Sequence, residues 1–378
     1  MVTRRRQVKP LWHMTVSLLI VVASCTSVRP AESANDVLSA PDSEPTLYTA
    51  HLGGEIGYID NAGAFVINPQ FNEAWNFSEG LAVVRIWDEG TGQYGYIDKT
   101  GAFVINPKFD WAGNFSEGLA FVRVGDEPTG QFGYIDKTGA FVINLQFDWA
   151  GDFSEGFAVA RISYGITGKF GYIDKTGTFV INPQFDWASS FSEGLASVRI
   201  GDPEMGKYGY IDKTGAFVIE PKFDYAWNFS EGLASVRVWD WETSKCGYID
   251  KTGAFVINPQ FDWASSFSEG LASVRIGDRE TGKCGFIDKT GALVLNLLYD
   301  EAGDFSEGLA LVRMGNWETG RYGYIDKTGA FIISPQFSNA CDFSKGLADV
   351  RISRPGKSRY GYIDKTGAFI WSITSPPP

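Results

Sequence analysis

Histidine and cysteine, on which much enzyme chemistry depends, are scarce in this 378-residue chain, which has two histidines and four cysteines. His13 lies in a segment that we expect to be removed, so only His51 remains for a Ser-His-Asp or Cys-His unit. The sequence also contains no HExxH, P-loop or CxxC motif. These absences favour a protein that is not an enzyme and that has no cofactor and no metal site.

Clusters of lysine and arginine are lacking beyond the first nine residues. Residues 1–24 hold four of the 33 basic residues and none of the 45 acidic ones, which leaves 29 basic residues against 45 acidic ones in the rest of the chain. A surface this acidic repels phosphate backbones. We therefore expect no nucleic-acid partner.

An apolar run long enough to span a bilayer is lacking too. A spanning helix needs about 20 residues, whereas the run from Leu11 to Ala23 has thirteen. A basic start followed by a short apolar run is typical of a secretory signal. The run ends in Val22-Ala23-Ser24-Cys25, which resembles the lipobox of bacterial lipoprotein signals. That resemblance implies cleavage after Ser24 and lipidation of Cys25.

These features predict how the N-terminal part of the chain is organised. We expect a signal peptide at 1–24 and a lipid-anchored flexible linker at 25–45, which is small, polar and proline-containing. The mature protein would then be a lipoprotein of the bacterial cell envelope that meets the membrane only through the lipid at Cys25. A secreted or periplasmic protein is the alternative.

What the chain does contain is a phrase repeated at a fixed spacing. GYIDKTGAFVINP stands whole at Gly95–Pro107 and Gly247–Pro259. A constant period indicates a repeat architecture. The opening Gly-aromatic-Ile-Asp recurs every 38 residues, beginning at Gly57, Gly95, Gly133, Gly171, Gly209, Gly247, Gly285, Gly323 and Gly361.

The copy at 195–232 predicts three strands, here called C (195–200), A (207–212) and B (216–219), from their alternating and β-branched residues. Asp212-Lys-Thr-Gly215 between A and B favours a type I turn with a G1 bulge. Apolar residues every three positions in the connection at 222–232 favour a helical turn. The chain is thus predicted to be all-β.

The predicted array covers 46–373, followed by a tail at 374–378. It consists of nine three-stranded antiparallel meanders, stacked face to face and coiled into an open superhelix. Nine units exceed the usual four to eight blades of a closed propeller. A closed propeller-like ring is nevertheless kept as the alternative.

The repeated phrase resembles the WG-repeat (KWG-repeat) family, in which a Trp-Gly pair precedes an aromatic, an aliphatic and a polar residue, then a glycine turn and an aliphatic strand. The resemblance covers 47–371 and implies a β-rich array with a binding role and no catalytic activity. The family's tryptophan is replaced in every copy, by Ile56, Tyr94, Phe132, Phe170, Tyr208, Cys246, Cys284, Tyr322 and Tyr360.

Ionisable residues recur at the same period. The turn aspartates (such as Asp212), the glutamates after Phe-Ser (such as Glu193) and the strand C arginines (such as Arg199) each form a column. We interpret the aspartates as turn caps and the other two columns as an Arg–Glu ladder between units. Acid–base chemistry or Ca²⁺ binding by the carboxylates is the alternative.

Aromatic residues provide the best candidates for ligand contact, because their rings can stack against sugars or partner side chains. One set forms a column in the connections; the other lies at or beside the variable C–A turns, where partners often bind repeat scaffolds. The alternative for the column is core packing between units. The alternative for the turns is sequence drift at an unconstrained surface. The two sets are Trp111, Trp149, Trp187, Tyr225 and Trp263 in the column, and Trp87, Trp239, Trp241 and Trp317 at the turns.

Together these patterns predict a non-catalytic, envelope-anchored repeat scaffold that binds protein or glycan partners. A carbohydrate-active enzyme built on a propeller is one alternative, although no unit carries a carboxylate pair absent from its neighbours. A purely structural spacer is another. The sequence does not specify the partner.

Overall fold

The structure, a computed structural model, describes residues 46–375 except 89–90, 127–128, 163–167, 240–242 and 355–356. The expected signal peptide, the linker with Cys25, and Trp241 lie outside the described residues. In this part of the chain no helix has the length and apolar character needed to cross a membrane.

Within the described residues, strands form nine antiparallel sheets, one for each copy of the repeat. Sheet 1 has three strands, β1 (Tyr48–Leu52), β2 (Glu55–Ile59) and β3 (Phe65–Phe71). Sheets 2 to 9 have four each.

The four-stranded sheets follow one another along the chain. Sheets 2 to 5 consist of β4 (Glu73–Ala74), β5 (Ala82–Asp88), β6 (Thr91–Ile97) and β7 (Phe103–Phe109); β8 (Trp111–Ala112), β9 (Ala120–Val124), β10 (Gln131–Ile135) and β11 (Phe141–Phe147); β12 (Trp149–Ser154), β13 (Phe157–Ile162), β14 (Lys169–Ile173) and β15 (Phe179–Phe185); β16 (Trp187–Ala188), β17 (Ala196–Ile200), β18 (Lys207–Ile211) and β19 (Phe217–Phe223). Sheets 6 to 9 consist of β20 (Tyr225–Ala226), β21 (Ala234–Trp239), β22 (Ser244–Ile249) and β23 (Phe255–Phe261); β24 (Trp263–Ala264), β25 (Ala272–Ile276), β26 (Lys283–Ile287) and β27 (Leu293–Tyr299); β28 (Glu301–Ser306), β29 (Leu309–Met314), β30 (Arg321–Ile325) and β31 (Phe331–Phe337); β32 (Asn339–Ala340), β33 (Ala348–Arg354), β34 (Lys357–Ile363) and β35 (Phe369–Ser375).

The connection between repeats is where the predicted unit was wrong. It forms no helical turn; it supplies a fourth strand, of two residues in most sheets, which pairs with strand C, as β16 does with β17. A tight turn follows, in which Ser192 and Leu195 exchange backbone hydrogen bonds. Two residues are too few to produce an alternating pattern, so this strand could not be recognised from the sequence.

Strand B is longer than predicted, because it continues through its proline. Opposite Gly209, the residues between Ile219 and Phe223 bulge outward, and the pairing register shifts. Pro221 is tolerated there because a bulge on an edge strand needs no amide donor. A Cβ atom on Gly209 would lie 2.5 Å from the Ile219 carbonyl oxygen and 2.7 Å from the Pro221 nitrogen. Only glycine therefore fits opposite the bulge.

Neighbouring sheets pack face to face, as predicted, and share their cores. One cluster joins Tyr210 and Phe223 of sheet 5 to Phe229 and Val236 of sheet 6. The Tyr210 hydroxyl donates to the Trp227 carbonyl of the next sheet at 2.6 Å. The Ser192 hydroxyl donates to the Phe229 carbonyl at 2.8 Å. Such bonds between backbone and buried hydroxyls fix each sheet against its neighbour.

The array is a closed ring of nine sheets, so the expected open superhelix is wrong and the propeller-like alternative is correct. Sheets 1 and 9 share a core that contains Tyr48, Leu347 and Tyr362. The Tyr48 hydroxyl donates to the Lys345 carbonyl, and the rings of Phe65 and Trp371 meet edge to face, 6.1 Å apart. The first and last sheets thus make the kind of contact that joins the others.

The meander topology gives the ring two distinct rims. One, the turn rim, carries the A–B turns (for example Asp212–Gly215) and the Ser-Glu-Gly turns (for example Ser192–Gly194). The other, the variable rim, carries the C–A turns and the connections that enter the next sheet. Antiparallel pairing places these two groups of loops at opposite ends of every sheet.

Candidate functional site

The turn aspartates cap their own turns, as predicted. A single carboxylate oxygen of Asp212 accepts bonds from the Thr214 amide at 2.8 Å, the Thr214 hydroxyl at 2.6 Å and the Ala216 amide at 3.2 Å. The bond from the Thr214 hydroxyl is the main reason why the pKa of Asp212 is lowered. This carboxylate is occupied by its own turn.

The glutamates of the turn rim connect consecutive sheets. The carboxylate of Glu193 in sheet 5 accepts a bond from the Gly232 amide of sheet 6 at 3.0 Å. It also lies 3.2 Å from the ammonium group of Lys251, in the A–B turn of that sheet. The predicted Arg–Glu ladder is therefore wrong: the partner of each glutamate is a lysine. The pairs are Glu79–Lys137, Glu117–Lys175, Glu155–Lys213, Glu193–Lys251, Glu231–Lys289, Glu269–Lys327 and Glu307–Lys365.

Backbone strain marks the same glutamates. Among the described residues, the non-glycine residues with positive φ are these seven glutamates and Lys345, which takes the equivalent place in sheet 9. A left-handed conformation costs an ordinary L-residue roughly 1–2 kcal/mol. The bonds to the next sheet hold each glutamate there, which indicates a structural role for this column.

The arginines of strand C lie on the variable rim, in rows with the predicted aromatic column. The residue opposite each arginine on the short first strand is the aromatic candidate, and opposite residues on paired strands share one face of the sheet. The pairs are Trp111–Arg123, Trp149–Arg161, Trp187–Arg199, Tyr225–Arg237 and Trp263–Arg275. The rows were missed because the first strand was missed.

Strand A completes each row with the residue that replaces the family's tryptophan. Arg161 pairs with Phe170, and its guanidinium carbon lies 5.3 Å from the centre of that ring. Arg199 lies 5.9 Å from the ring of Tyr208, which also packs against Trp187. Where strand A of these rows supplies a ring, the guanidinium lies over it, because aromatic faces attract cations; opposite Arg237 and Arg275 strand A has Cys246 and Cys284.

The aromatic column is partly exposed, as expected of ligand-contact candidates. Trp111, Trp149 and Tyr225 are exposed, with Trp111 43% accessible, while Trp187 and Trp263 are half-buried. Their rings also pack on strand A residues, as Trp149 does on Phe170 at 5.6 Å. The column thus contributes both to packing and to the surface.

Four arginines of these rows carry a buried Nε–H donor for which the described chain supplies no acceptor. The Nε–H groups of Arg161, Arg199, Arg237 and Arg275 are buried without a hydrogen-bond partner. Where glutamate replaces the aromatic residue, an ion pair forms: Nη1 of Arg85 lies 3.1 Å from Glu73, although the Nε–H group of that arginine is also buried and unpartnered in the described chain, and Nε of Arg313 lies 3.0 Å from Glu301. These rows thus place half-buried arginines beside partly exposed aromatic rings on the variable rim.

The turn tryptophans lie on the same rim but are not gathered in one place. Trp87 is stacked on Arg85, whose guanidinium carbon is 4.5 Å from the ring centre. Trp239 and Trp317 are 66% and 79% exposed. Trp241 lies outside the described residues.

A cleft of about 930 Å³ brings some of these residues together. It lies where sheets 7, 8 and 9 meet the variable rim, and its lining includes Trp263, Arg275, Arg279, Trp317 and Tyr322. It is the place where the aromatic column ends, because Trp263 is followed by Glu301 and then by Asn339 at the next two equivalent positions.

Titratable groups in the cleft are not arranged as a nucleophile. Burial raises the pKa of the Cys284 thiol to about 11, so the thiolate is rare at neutral pH. Burial, together with the hydrogen bond that its hydroxyl donates to Glu301, raises the pKa of Tyr322 to about 12. In the described part of the chain, no three His, Cys, Asp or Glu side chains are grouped so as to hold a metal ion.

Comparison with protein families identifies the repeat. The family described as WG containing repeat matches most of the chain, in segments that each run from strand A of one sheet to strand C of the next. This chain belongs to the WG-repeat family. The matched residues are 56–86, 94–127, 132–164, 170–202, 208–238, 247–279, 285–316 and 322–353.

The family repeat is thus out of phase with the sheets: every match spans two of them. Each family repeat therefore contributes strands to two neighbouring sheets, which are joined by its backbone as well as by packing. The family assignment confirms the resemblance inferred from the repeated phrase.

Solved structures resemble the fold without close sequence similarity. The crystal structure of a eukaryotic initiation factor is 14% identical, with 88% of this chain and 97% of that chain covered and a TM-score of 0.61. An uncharacterised protein from Listeria monocytogenes is 12% identical, with 69% and 91% covered and a TM-score of 0.39. Hsv2p from Kluyveromyces lactis is 10% identical, with 68% and 94% covered and a TM-score of 0.40. A search of curated proteins found no match.

Of these similarities, only the first is close enough to bear on the fold. Its coverage of nearly the whole of both chains agrees with a single ring. At this identity, it carries no function to this chain.

Proposed function

We propose that this chain is a non-catalytic binding scaffold of the bacterial cell envelope, which holds a protein or glycan partner on its variable rim. The observation that carries this proposal is the repeated pairing of half-buried arginines with partly exposed aromatic rings on this rim, such as Arg161 beside Trp149 and Arg199 beside Trp187.

Repetition of the rows suits an extended partner. The rows of neighbouring sheets are equivalent by the repeat, so a linear glycan or a protein surface can meet several of them at once. Once one row has bound the partner, binding of the next row is an intramolecular step, and this raises the overall affinity. Aromatic and arginine residues also make the largest contributions in many interfaces.

The repeated carboxylates support a non-catalytic role, because those of the turn rim are held in bonds within and between sheets. On the variable rim, the aspartates after Phe in the connections are held as well: Asp262 lies 2.6 Å from Lys245 and accepts a bond from the Gly277 amide. A general acid or base needs a carboxyl group free to exchange a proton with substrate.

The test is a glycan array and a panel of glycoside hydrolase substrates, both with the purified full chain. We expect binding without turnover, and we expect Trp149→Ala and Arg161→Ala to weaken it. Lys213→Ala, on the turn rim, is the matched control and should leave it unchanged. Hydrolysis of any substrate in the panel would contradict the non-catalytic role. No binding, together with full tolerance to deletion of one 38-residue unit, would favour a structural spacer.

The proposed location rests on the N-terminal sequence, with its basic start, short apolar run and Cys25. Removal of the lipidated thiol should release the chain from the membrane. In cell fractionation, we expect the wild-type chain in the membrane fraction and Cys25→Ala in the soluble fraction. A Cys25→Ala chain that still sediments with membranes would contradict lipid anchoring.

A further inference from the structure

The cleft at sheets 7 to 9 differs from the rest of the variable rim in that two arginines without ion pairs to described residues line one concave space. Arg275 lines it, and no hydrogen bond or ion pair joins its guanidinium group to another described residue. Arg279, in the C–A turn of sheet 7, is exposed and also lines the cleft. Two arginines are therefore available within one concave space.

The acidic groups around these arginines are mostly neutralised. Glu301 is paired with Arg313 and accepts a bond from the Tyr322 hydroxyl at 2.8 Å. Asp300 lies 2.6 Å from the ammonium group of Lys283. Of the acidic residues that line the cleft, Glu280 has no such partner. The lining then carries Arg275, Arg279 and Arg313 against Glu280, Asp300 and Glu301, and Asp278, in the same turn as Arg279, also faces Arg275. The charges balance, but Arg275 and Arg279 are the two lining arginines that make no ion pair with a described residue.

Two indole rings add apolar surface beside these arginines. Trp263 lies directly across the strand pair from Arg275. Trp317, in the C–A turn of sheet 8, contributes a ring that is 79% exposed. Indole faces pack well against the C–H faces of sugar rings, while guanidinium groups bind carboxylates in a bidentate manner.

From this combination we infer that the cleft binds an acidic saccharide, with the sugar carboxylate on Arg275 and Arg279 and a sugar ring on Trp317. This inference rests on the proposed function and specifies its ligand class. The cleft volume of about 930 Å³ lies within the range of small-ligand sites, which is about 300–1,000 Å³. Ser338 and Asn339 in the lining supply polar groups of the kind that sugar hydroxyls need.

An acidic peptide is the competing ligand of the same charge. A linear peptide gains affinity mainly from backbone bonds to a sheet edge or from side-chain pockets. The edge strands that reach the cleft begin with Trp263, Glu301 and Asn339, and two of them, β24 and β32, are only two residues long, too short to pair with a peptide strand. The cleft also offers an exposed ring face and mixed polar groups. We therefore favour the saccharide and make the peptide an outcome of the test.

The experiment is isothermal titration of the full chain with trigalacturonic acid and with sialyllactose, each compared with its carboxyl-reduced, neutral counterpart. We expect at least one acidic sugar to bind about tenfold or more tightly than its neutral counterpart, as loss of hydrogen bonds to a charged group predicts. Added salt should weaken that binding. Arg275→Ala and Arg275→Lys should each weaken it about tenfold, since lysine keeps the charge but not the fork.

Matched variants separate the cleft from the rest of the ring. Lys213→Ala removes a cation of the turn rim, outside the cleft, and should leave the affinity unchanged. Trp317→Ala removes an exposed ring, so it should fold normally and weaken binding on the order of tenfold. It keeps the inference testable if Arg275 variants fold poorly.

Each contrary result has its own meaning. Failure of both acidic sugars to bind, equal binding of the neutral sugars, or equal binding of a polyglutamate peptide would overturn the inference. If another glycan binds and is lost in Trp149→Ala but not in Trp317→Ala, the inference fails and the proposed function stands. If no variable-rim variant affects any binding, both fail.

Discussion

The two rims of the ring are built from the same repeats but satisfy their charged groups differently. On the turn rim, Glu193 reaches Gly232 and Lys251 of the next sheet, and the same contacts recur around the ring. On the variable rim, Arg199 lies over Tyr208 with its Nε–H group unpartnered. The first arrangement is closed on itself, while the second presents partly exposed aromatic and arginine side chains.

This difference separates the residues that build the ring from those that are available to a ligand. Both rims carry residues repeated at 38-residue spacing, so repetition alone does not distinguish the two roles. What distinguishes them is whether the polar groups find partners in the next sheet. Substitutions on the turn rim should therefore affect stability, and substitutions of exposed variable-rim residues should affect binding.

The largest loss of stability is expected at Gly209, which lies in a strand A that runs from one rim to the other. Gly209→Ala would place a Cβ atom against backbone atoms of Ile219 and Pro221, which cannot move aside as a side chain can. We expect a loss of about 3 kcal/mol or more in the free energy of unfolding, measured by urea denaturation. Gly194→Ala is the control: its φ is positive but it has open space around it, so it should lose about 1 kcal/mol. Equal losses would contradict the clash.

The turn-rim ladder should give a smaller effect with a distinctive pattern. Glu193→Ala loses the bonds to Gly232 and Lys251 but keeps the left-handed backbone, so we expect a loss of about 1–2 kcal/mol in the free energy of unfolding. Glu193→Gly loses the same bonds but relieves the strain, and should cost less. Thermal and urea unfolding of both variants measure the difference. A glycine variant less stable than the alanine variant would contradict the strain at this position.

Acid should weaken the turn rim through the same column. Burial raises the pKa of Glu269, but bonds from Lys327 and the Gly308 amide outweigh it, so the pKa is lowered below its usual value of 4.5. Its contribution to stability is therefore complete above that value and is lost as the pH falls through the lower, folded-state pKa. We expect Glu269→Gln to be less stable than the wild type at pH 6, with the gap closing below about pH 4. A gap that stays constant in unfolding curves from pH 3 to pH 6 would show that the charge plays no part.

The smallest effect on stability is expected on the variable rim. The side chain of Trp239 is 66% exposed. The hydrogen bond that its backbone amide donates to the Asp224 carboxylate is retained when the side chain is removed. Trp239→Ala should change the free energy of unfolding by less than about 0.5 kcal/mol. A loss as large as that of Glu193→Ala would contradict the division between the two rims.

Much of the ring could be predicted from the residues, because it is encoded locally. The Asp212–Gly215 turn follows from hydrogen bonds of one side chain to residues within four positions. Strands C and A follow from the alternation of apolar and polar residues over about six positions. The fourth strand could not be predicted, since Trp187-Ala188 is too short to alternate. The partner of Glu193 was misassigned because Lys251 lies 58 residues away in the chain and is adjacent only after the sheets pack.

The candidate site was predicted in part for the same reason. The aromatic column and the exposed Trp317 stand out as departures from the repeat, so variation in the sequence marked them. The arginines do not vary, and their lack of partners is visible only when strand pairing places Arg275 across from Trp263. The cleft needs three sheets in register and has no signature in any single repeat.

The sequence by itself determined the period, the nine units, the three long strands and the family, because each depends on interactions within one repeat. Only the tertiary structure decided that the array closes. Closure requires each sheet to turn by one ninth of a circle relative to the last, and a small change in that angle, accumulated over nine sheets, would give an open coil. That angle depends on packing between sheets, such as Tyr210 against the Trp227 carbonyl, which no single repeat contains.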